Sequence, residues 1–359
     1  MTIKQWLLAL FFSCTVTTKL QAYLLLTPGN ESVDSWSQAQ FKKLQKLRQQ
    51  GNNHPFLRLY LKPDQIGYYV AFQKLIAEEL PEEIDRPGIW LSVRQKYLKR
   101  PQSNLAIIGG MGPLADADLT RRVVLKLNER KDFSWQSSGL EVLSMPPPRR
   151  VKHWRYSCKY FYKLISFGES PFLGQGNFDR YALASNTAHQ YAKMVGVLVF
   201  NFAEFINLVE RNTRRLKSLN PQGALILGTS QAASSQLYKP YLAAYNIPFA
   251  MPRRQSLFQH MIYEAKSGAL VDPKLFHRAV FDEVRWLSEN QFNVSHVFLA
   301  CTELSLIKTE DSYRVLQEHD LILIDSQVLF SEHLSDELYQ LDFNRQQQQK
   351  LLENEMMSY

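Results

Sequence analysis

From about residue 104 to residue 325, short and mainly apolar runs alternate with longer stretches whose apolar positions recur every three or four residues. Leu105 to Ile108, Leu140 to Met145, Tyr181 to Ala184, Val195 to Phe200, Gly223 to Leu227, Ile247 to Ala250, Val297 to Ala300 and Leu321 to Asp325 are too short for helices and read as buried strands. The intervening periodicity predicts helices over about Ala115 to Glu129, Ala203 to Leu216, Leu257 to Glu264, Pro273 to Glu289 and from Gln327 onward. Alternation of strands and helices predicts an α/β fold built on open parallel sheets.

The first third follows another pattern. Residues 1–22 carry Lys4, an apolar run from Trp6 to Val16 and a small residue at Ala22, which predicts a signal peptide and export to a periplasm or the outside. The alternative is a buried or surface-anchoring helix, which leaves the chain cytoplasmic. No later stretch reads as a membrane span. Residues 23–103 predict an N-terminal accessory region. It has an apolar run at Tyr23 to Thr27, helices over about Ser35 to Gln50 and Ile66 to Leu80, breaks at Pro81 and Pro87, and a short element at Ile89-Trp90-Leu91. It is expected to pack on the main body or cover a cleft. Residues 346–359 are polar and expected to fray.

The main body repeats itself. Leu105 to Ile108 feeds Gly109-Gly110-Met111-Gly112-Pro113, and the strand before Gly228-Thr229-Ser230 ends the same way, 119 residues later. Ala184-Ser185-Asn186-Thr187 aligns with Ala300-Cys301-Thr302-Glu303 at an offset of 116. Two nearly equal offsets predict an internal duplication. Residues 104–205 with 321–345 form one α/β unit, and 206–320 form the other. In open α/β folds ligands bind at the carboxyl ends of strands, so Ser185 and Cys301 are expected to flank one cleft. The glycines suit close approach of backbone N–H groups to a ligand, but the spacing is neither Walker nor dinucleotide-binding.

Three cysteines, Cys14, Cys158 and Cys301, make no disulfide framework. The eight histidines are scattered, so no metal site is expected. A net charge of +8 suits an anionic ligand without specifying one. Basic and aromatic residues interleave from Arg149 to Lys163. Single-stranded nucleic acid is one reading of such a stretch, and a helix with its aromatic side packed inward is another. The favoured reading places Arg149 or Arg150, just past a strand end, against an anionic substrate. Nucleic acid is disfavoured.

Gly109-Gly110-Met111-Gly112-Pro113, Ser185-Asn186-Thr187-Ala188-His189 and Cys301-Thr302-Glu303 resemble three signatures of the aspartate/glutamate racemase superfamily, most closely its aspartate racemase branch, over roughly residues 104–345. The resemblance implies two pseudo-symmetric α/β domains, no cofactor, often a homodimer, and a substrate cleft between the domains. In that family a cysteine from each half exchanges a proton with one face of the substrate's α-carbon, because inversion needs an acid and a base on opposite sides of a planar carbanion. Here the first cysteine's position holds Ser185. The threonine common in the glycine motif matches Asp116, and a lysine often found after the second glycine strand matches Ser230.

The implied function is a cofactor-independent racemase acting on a small anionic amino acid or dicarboxylate. Cys301, Ser185 and His189 would be its catalytic residues. Gly110, Met111, Arg149, Arg150, Asn186, Thr187, Thr229, Thr302 and Glu303 are expected to bind substrate. The alternatives are a racemase-like binding or interaction protein, and a single-cysteine decarboxylase or isomerase of the same superfamily.

Overall fold

The computed structural model describes residues 23–50, 56–80, 86–95, 103–109, 112–144, 179–186, 189, 204–234, 237–269 and 271–357. Eleven strands run through them: β1 (Tyr23–Leu26), β2 (Phe56–Leu61), β3 (Gly88–Val93), β4 (Ser103–Gly109), β5 (Ser138–Ser144), β6 (Arg180–Leu183), β7 (Glu204–Ile206), β8 (Ala224–Leu227), β9 (Phe249–Ala250), β10 (His296–Leu299) and β11 (Ile322–Asp325). The α-helices are α1 (Val33–Gln49), α2 (Ile66–Glu79), α3 (Pro113–Asn128), α4 (Leu208–Ser218), α5 (Ser230–Ser234), α6 (Lys239–Ala244), α7 (Gln255–Lys266), α8 (Pro273–Glu289), α9 (Leu304–Ile307), α10 (Glu310–Gln317) and α11 (Ser326–Met357).

The strands form two sheets, of order β1-β2-β3-β5-β4-β6-β7 and β11-β10-β8-β9. Within the first, β5-β4-β6-β7 repeats the order and parallel sense of β9-β8-β10-β11 in the second. The offsets between the two glycine turns, and between Ser185 and Cys301, therefore join equivalent strand ends. The helix after each last strand crosses to the other sheet. Val209 and Leu216 of α4 pack with Ala224 and Ile226 of the second sheet. Phe330, Leu334 and Leu338 of α11 pack in the core of the first.

Several expectations need correction. The first sheet is mixed, because β3 runs antiparallel to β5. Residues 23–93 add three parallel strands to it and share its core, with Trp36, Tyr69 and Phe72 fully buried beside Leu105 and Val142. The seam is fixed by polar groups: Trp90 Nε1 and Ser92 Oγ on β3 each donate to Glu141 Oε2 on β5, at 2.5 Å. Burial raises the Glu141 pKa, and Arg94 offsets part of that. A buried carboxyl of this kind is stable only when its lone pairs are satisfied.

The strand at Ile322–Asp325 pairs with β10 in the second sheet, so it does not belong with the first unit. Only the helix after it returns there. The helix expected from Ala203 begins at Leu208, because Glu204–Ile206 pairs with β6 and Asn207 then caps the helix through Glu210 N, at 3.1 Å. Strand β2 was not anticipated, although Leu57, Leu59 and Leu61 recur at every second position with the half-buried Arg58 and the buried Tyr60 between them, as a strand requires. Residues expected to fray from Gln346 are helical to Met357, with side-chain hydrogen bonds four residues apart such as Gln349 to Glu353, at 2.8 Å. The predicted signal peptide, the basic-aromatic stretch and the strand expected at Val195 to Phe200 lie outside the described residues. Among those described, no helix is long and apolar enough to cross a membrane.

Candidate active site

Carboxyl ends of parallel strands are where backbone groups stop pairing and loops are free to hold a ligand. Four such ends carry the motif residues. Gly109 closes β4, Ser185 follows β6, Gly228 follows β8 and Cys301 follows β10.

Cys301 leaves the second sheet through Ala300, whose N–H still bonds Leu227 O at 2.7 Å. The residue is buried, at 4% exposure. Sγ donates to Glu303 Oε2 at 2.8 Å, and Thr302 Oγ1 donates to the same oxygen at 3.2 Å. Lys266 Nζ, at the end of α7, lies 3.4 Å from the other carboxylate oxygen. Burial pushes the Cys301 thiol well above its usual pKa, the Glu303 charge adds to that, and Lys266 opposes it. The resting thiol is therefore protonated, with a carboxylate in position to take the proton.

Gly112 of the first unit lies against this carboxylate. A Cβ at Gly112 would sit 2.1 Å from Glu303 Oε1. The glycine is required by this approach, since its φ of −151° is ordinary extended backbone. A Cβ at Gly109 would likewise strike the buried Asp116 carboxylate, at 2.2 Å. Loops from the two units thus meet at Glu303.

On the other side, Ser185 is half-buried and its carbonyl accepts from His189 Nδ1 at 2.9 Å. The histidine meets Ser185 through the backbone and not through the hydroxyl that proton relay would use. Its ring packs near Phe205 and Phe330, with centroids 5.7 and 6.1 Å away. Burial lowers its pKa to about 4. Asn186 is buried and engaged at both ends of its amide: Tyr238 Oη donates to Oδ1, and Nδ2 donates to Ser326 Oγ at 3.3 Å. It ties the β6 loop to the second unit and to the start of α11. Thr229 accepts from Ala232 N at 3.0 Å and so shapes the turn into α5.

Folded His189 takes a proton only near pH 4, whereas the unfolded imidazole does so near pH 6.5. Between those values the unfolded chain binds more protons, so stability falls as pH drops through this window, by ~3 kcal/mol across it. Urea midpoints measured from pH 7 to pH 4 should show this slope, and His189→Gln should remove its share, leaving that of His333, whose pKa burial also lowers to about 4.

Cys301, Thr302 and Glu303 of the expected site come together, with Gly112 across from them. Ser185, His189 and Asn186 form a second group, joined to the first through Tyr238. Gly110, Met111, Arg149, Arg150 and Thr187 lie outside the described residues. Lys266 and Tyr238 were missed. Tyr238 is buried, stacks edge-on against Phe298 at 5.3 Å, and its pKa is raised by burial and by the neighbouring Cys301. Among the described residues, no group of three His, Cys, Asp or Glu side chains converges to hold a metal ion.

No family model matches the chain. Solved structures share its fold. An aspartate racemase homologue from Pyrococcus horikoshii is 18% identical, with a TM-score of 0.51 over 66% of this chain and 99% of its own. A Yersinia pestis protein proposed to be an Asp/Glu racemase is 15% identical, with a TM-score of 0.50 over 66% and 99%. The aspartate racemase of Picrophilus torridus is 21% identical over 67% and 98%, with a TM-score of 0.48. The architecture is thus the two-sheet α/β fold of aspartate/glutamate racemase-type structures. Nearly the whole length of each of these structures finds a counterpart here, and about a third of this chain has none in them.

Proposed function

We propose that the protein is a cofactor-independent racemase that removes and returns a proton at the α-carbon of a small anionic amino acid. Aspartate and glutamate are the first candidates. The observation that carries this reading is the 2.8 Å hydrogen bond from the Cys301 thiol to Glu303 at the carboxyl end of β10. The Cys301 proton passes to the Glu303 carboxylate, and the resulting thiolate takes the α-proton. The electron pair left on carbon spreads into the substrate carboxylate, where hydrogen-bond donors stabilise it. Delivery of a proton to the opposite face, from the Ser185 hydroxyl or a water beside it, gives the inverted product, and exchange with solvent then returns a proton to that donor and removes the one held by Glu303. The loop residues Gly110, Met111, Thr187, Thr229 and Thr302 would hold the α-carboxylate, with Asn186 positioning its loop from below. Arg149 or Arg150 would pair with a second carboxylate in bidentate fashion.

One observation favours a second reading. His189 bonds the Ser185 carbonyl, so no described side chain is seen to activate the Ser185 hydroxyl. A one-sided reaction, such as decarboxylation of a malonate-like acid, needs only one proton donor, and Cys301 suffices for it.

The test is incubation with L-Asp, D-Asp, L-Glu, D-Glu and a wider amino-acid panel in D₂O, read by NMR at Cα and by chiral chromatography. Deuterium at Cα with inversion is expected. Carbon dioxide release from a malonate-type acid without α-exchange on any amino acid would establish the second reading instead.

A further inference from the structure

We infer that Lys266 is a positioning residue that balances the charge of the Cys301–Glu303 pair, and that residues 23–93 hold it in place through Arg86. The inference rests on the reading of Cys301 as a proton carrier. Lys266 Nζ is 3.4 Å from Glu303 Oε1, with side chains 17% and 6% exposed. Glu303 Oε2 takes the hydrogen bond from Cys301. Thiol and carboxyl therefore share protons as one unit, and each step that makes the unit more negative is favoured by an adjacent cation. Among the described residues, the titratable groups against Cys301 are Glu303, Lys266 and Tyr238.

The reach of the N-terminal segment to this point follows from the direction of β3. Because β3 runs antiparallel to β5, its amino end lies at the edge where β4 and β5 end, with Ile89 opposite Ser144. Arg86, just before β3 and 3% exposed, donates from Nε to Leu80 O at 3.0 Å and from Nη2 to Lys266 O at 3.3 Å. One guanidinium thus clamps the chain past the end of α2 to the end of α7. The turn after Lys266 is seated alongside: Gly268 has φ +82°, and a Cβ built there would touch Ala77, Glu78 and Leu114 at 3.8–3.9 Å.

The experiment is alkylation of the full chain with iodoacetamide between pH 6 and pH 10, with the rate at Cys301 read by peptide mass spectrometry. No substrate is involved, so the result stands apart from whether any amino acid is turned over. Lys266→Gln is expected to move the profile up by about one pH unit, or about tenfold in rate at pH 7.5. Lys266→Arg should restore it, and Arg86→Ala should move it the same way by less. Glu303→Gln, which removes the negative charge beside the thiol, is expected to speed alkylation, and it serves if Lys266→Gln does not fold. A Lys266→Gln profile that overlays the wild type, a Lys266→Arg profile like that of Lys266→Gln, or no gain in Glu303→Gln would overturn the role of Lys266. An unchanged Arg86→Ala profile would overturn the part given to the N-terminal segment. Absence of α-exchange in the wild type, with these shifts intact, would reject the racemase reading alone.

Discussion

Cys301→Ala is expected to reduce α-proton exchange by about 10³-fold or more, within the range that acid–base groups contribute to proton transfer. The thiol is the group through which one face of the substrate would lose or gain its proton, and no second cysteine lies in the described part of the site. Cys301→Ser separates two aspects of the side chain. It keeps a hydroxyl able to bond Glu303 but raises the pKa of the proton carrier far above neutrality, so it should be nearly as impaired as alanine while keeping the wild-type stability. Exchange in the wild type should rise with pH, because burial and Glu303 both hold the thiol protonated at neutrality. Quantitative NMR of the Cα deuterium content in D₂O measures all three. A Cys301→Ala protein with wild-type exchange would remove the thiol from the mechanism.

The second large effect is expected at Gly112. Alanine there places a methyl group 2.1 Å from Glu303 Oε1 and 2.9 Å from its Cδ. A flexible surface glutamate would swing aside. This one is buried and held by Cys301, Thr302 and Lys266, so relief of the clash must break at least one of those contacts. Overpacking of this kind costs about 1–3 kcal/mol, and a displacement near 1 Å at a reacting group can cost about 10²-fold in rate. Gly112→Ala should therefore fold, unfold at lower urea, and lose exchange by about 10²-fold. Glu303→Asp, with a side chain shorter by one methylene, should recover part of the lost stability when combined with it. Strict additivity of the two substitutions in a double-mutant cycle would show that they do not touch.

Much of this arrangement is legible in the chain itself. Buried strands of a parallel sheet are short apolar runs, and the two offsets are enough to pair Ser185 with Cys301 and Gly109 with Gly228. The repeated strand order explains why those offsets are nearly equal. Other features leave no local mark. The direction of β3 is not encoded in Gly88–Val93, since an apolar run reads the same in a parallel or an antiparallel neighbour. Lys266 looks like a basic residue in a helix's last turn, where the dipole alone would favour it. Only the packing of α7 beside α9 brings it to Glu303. Tyr238 lies between two short helices with no motif around it, and its bond to Asn186 crosses from one unit to the other. His189 was visible as part of a signature, but which atom of Ser185 it would meet was not.

The polar seam between β3 and β5 also decides where this chain can be cut. A fragment beginning at residue 104 contains the whole stretch that resembles a racemase, yet it would expose β5 as a bare edge strand. Its main-chain N–H and C=O groups would face water along Leu140 to Ser144, and Glu141 would lose both Trp90 and Ser92. An unprotected edge of that kind recruits other strands. The part of the protein that looks most self-sufficient in sequence would thus be prone to self-association when freed from the part that looks like an addition.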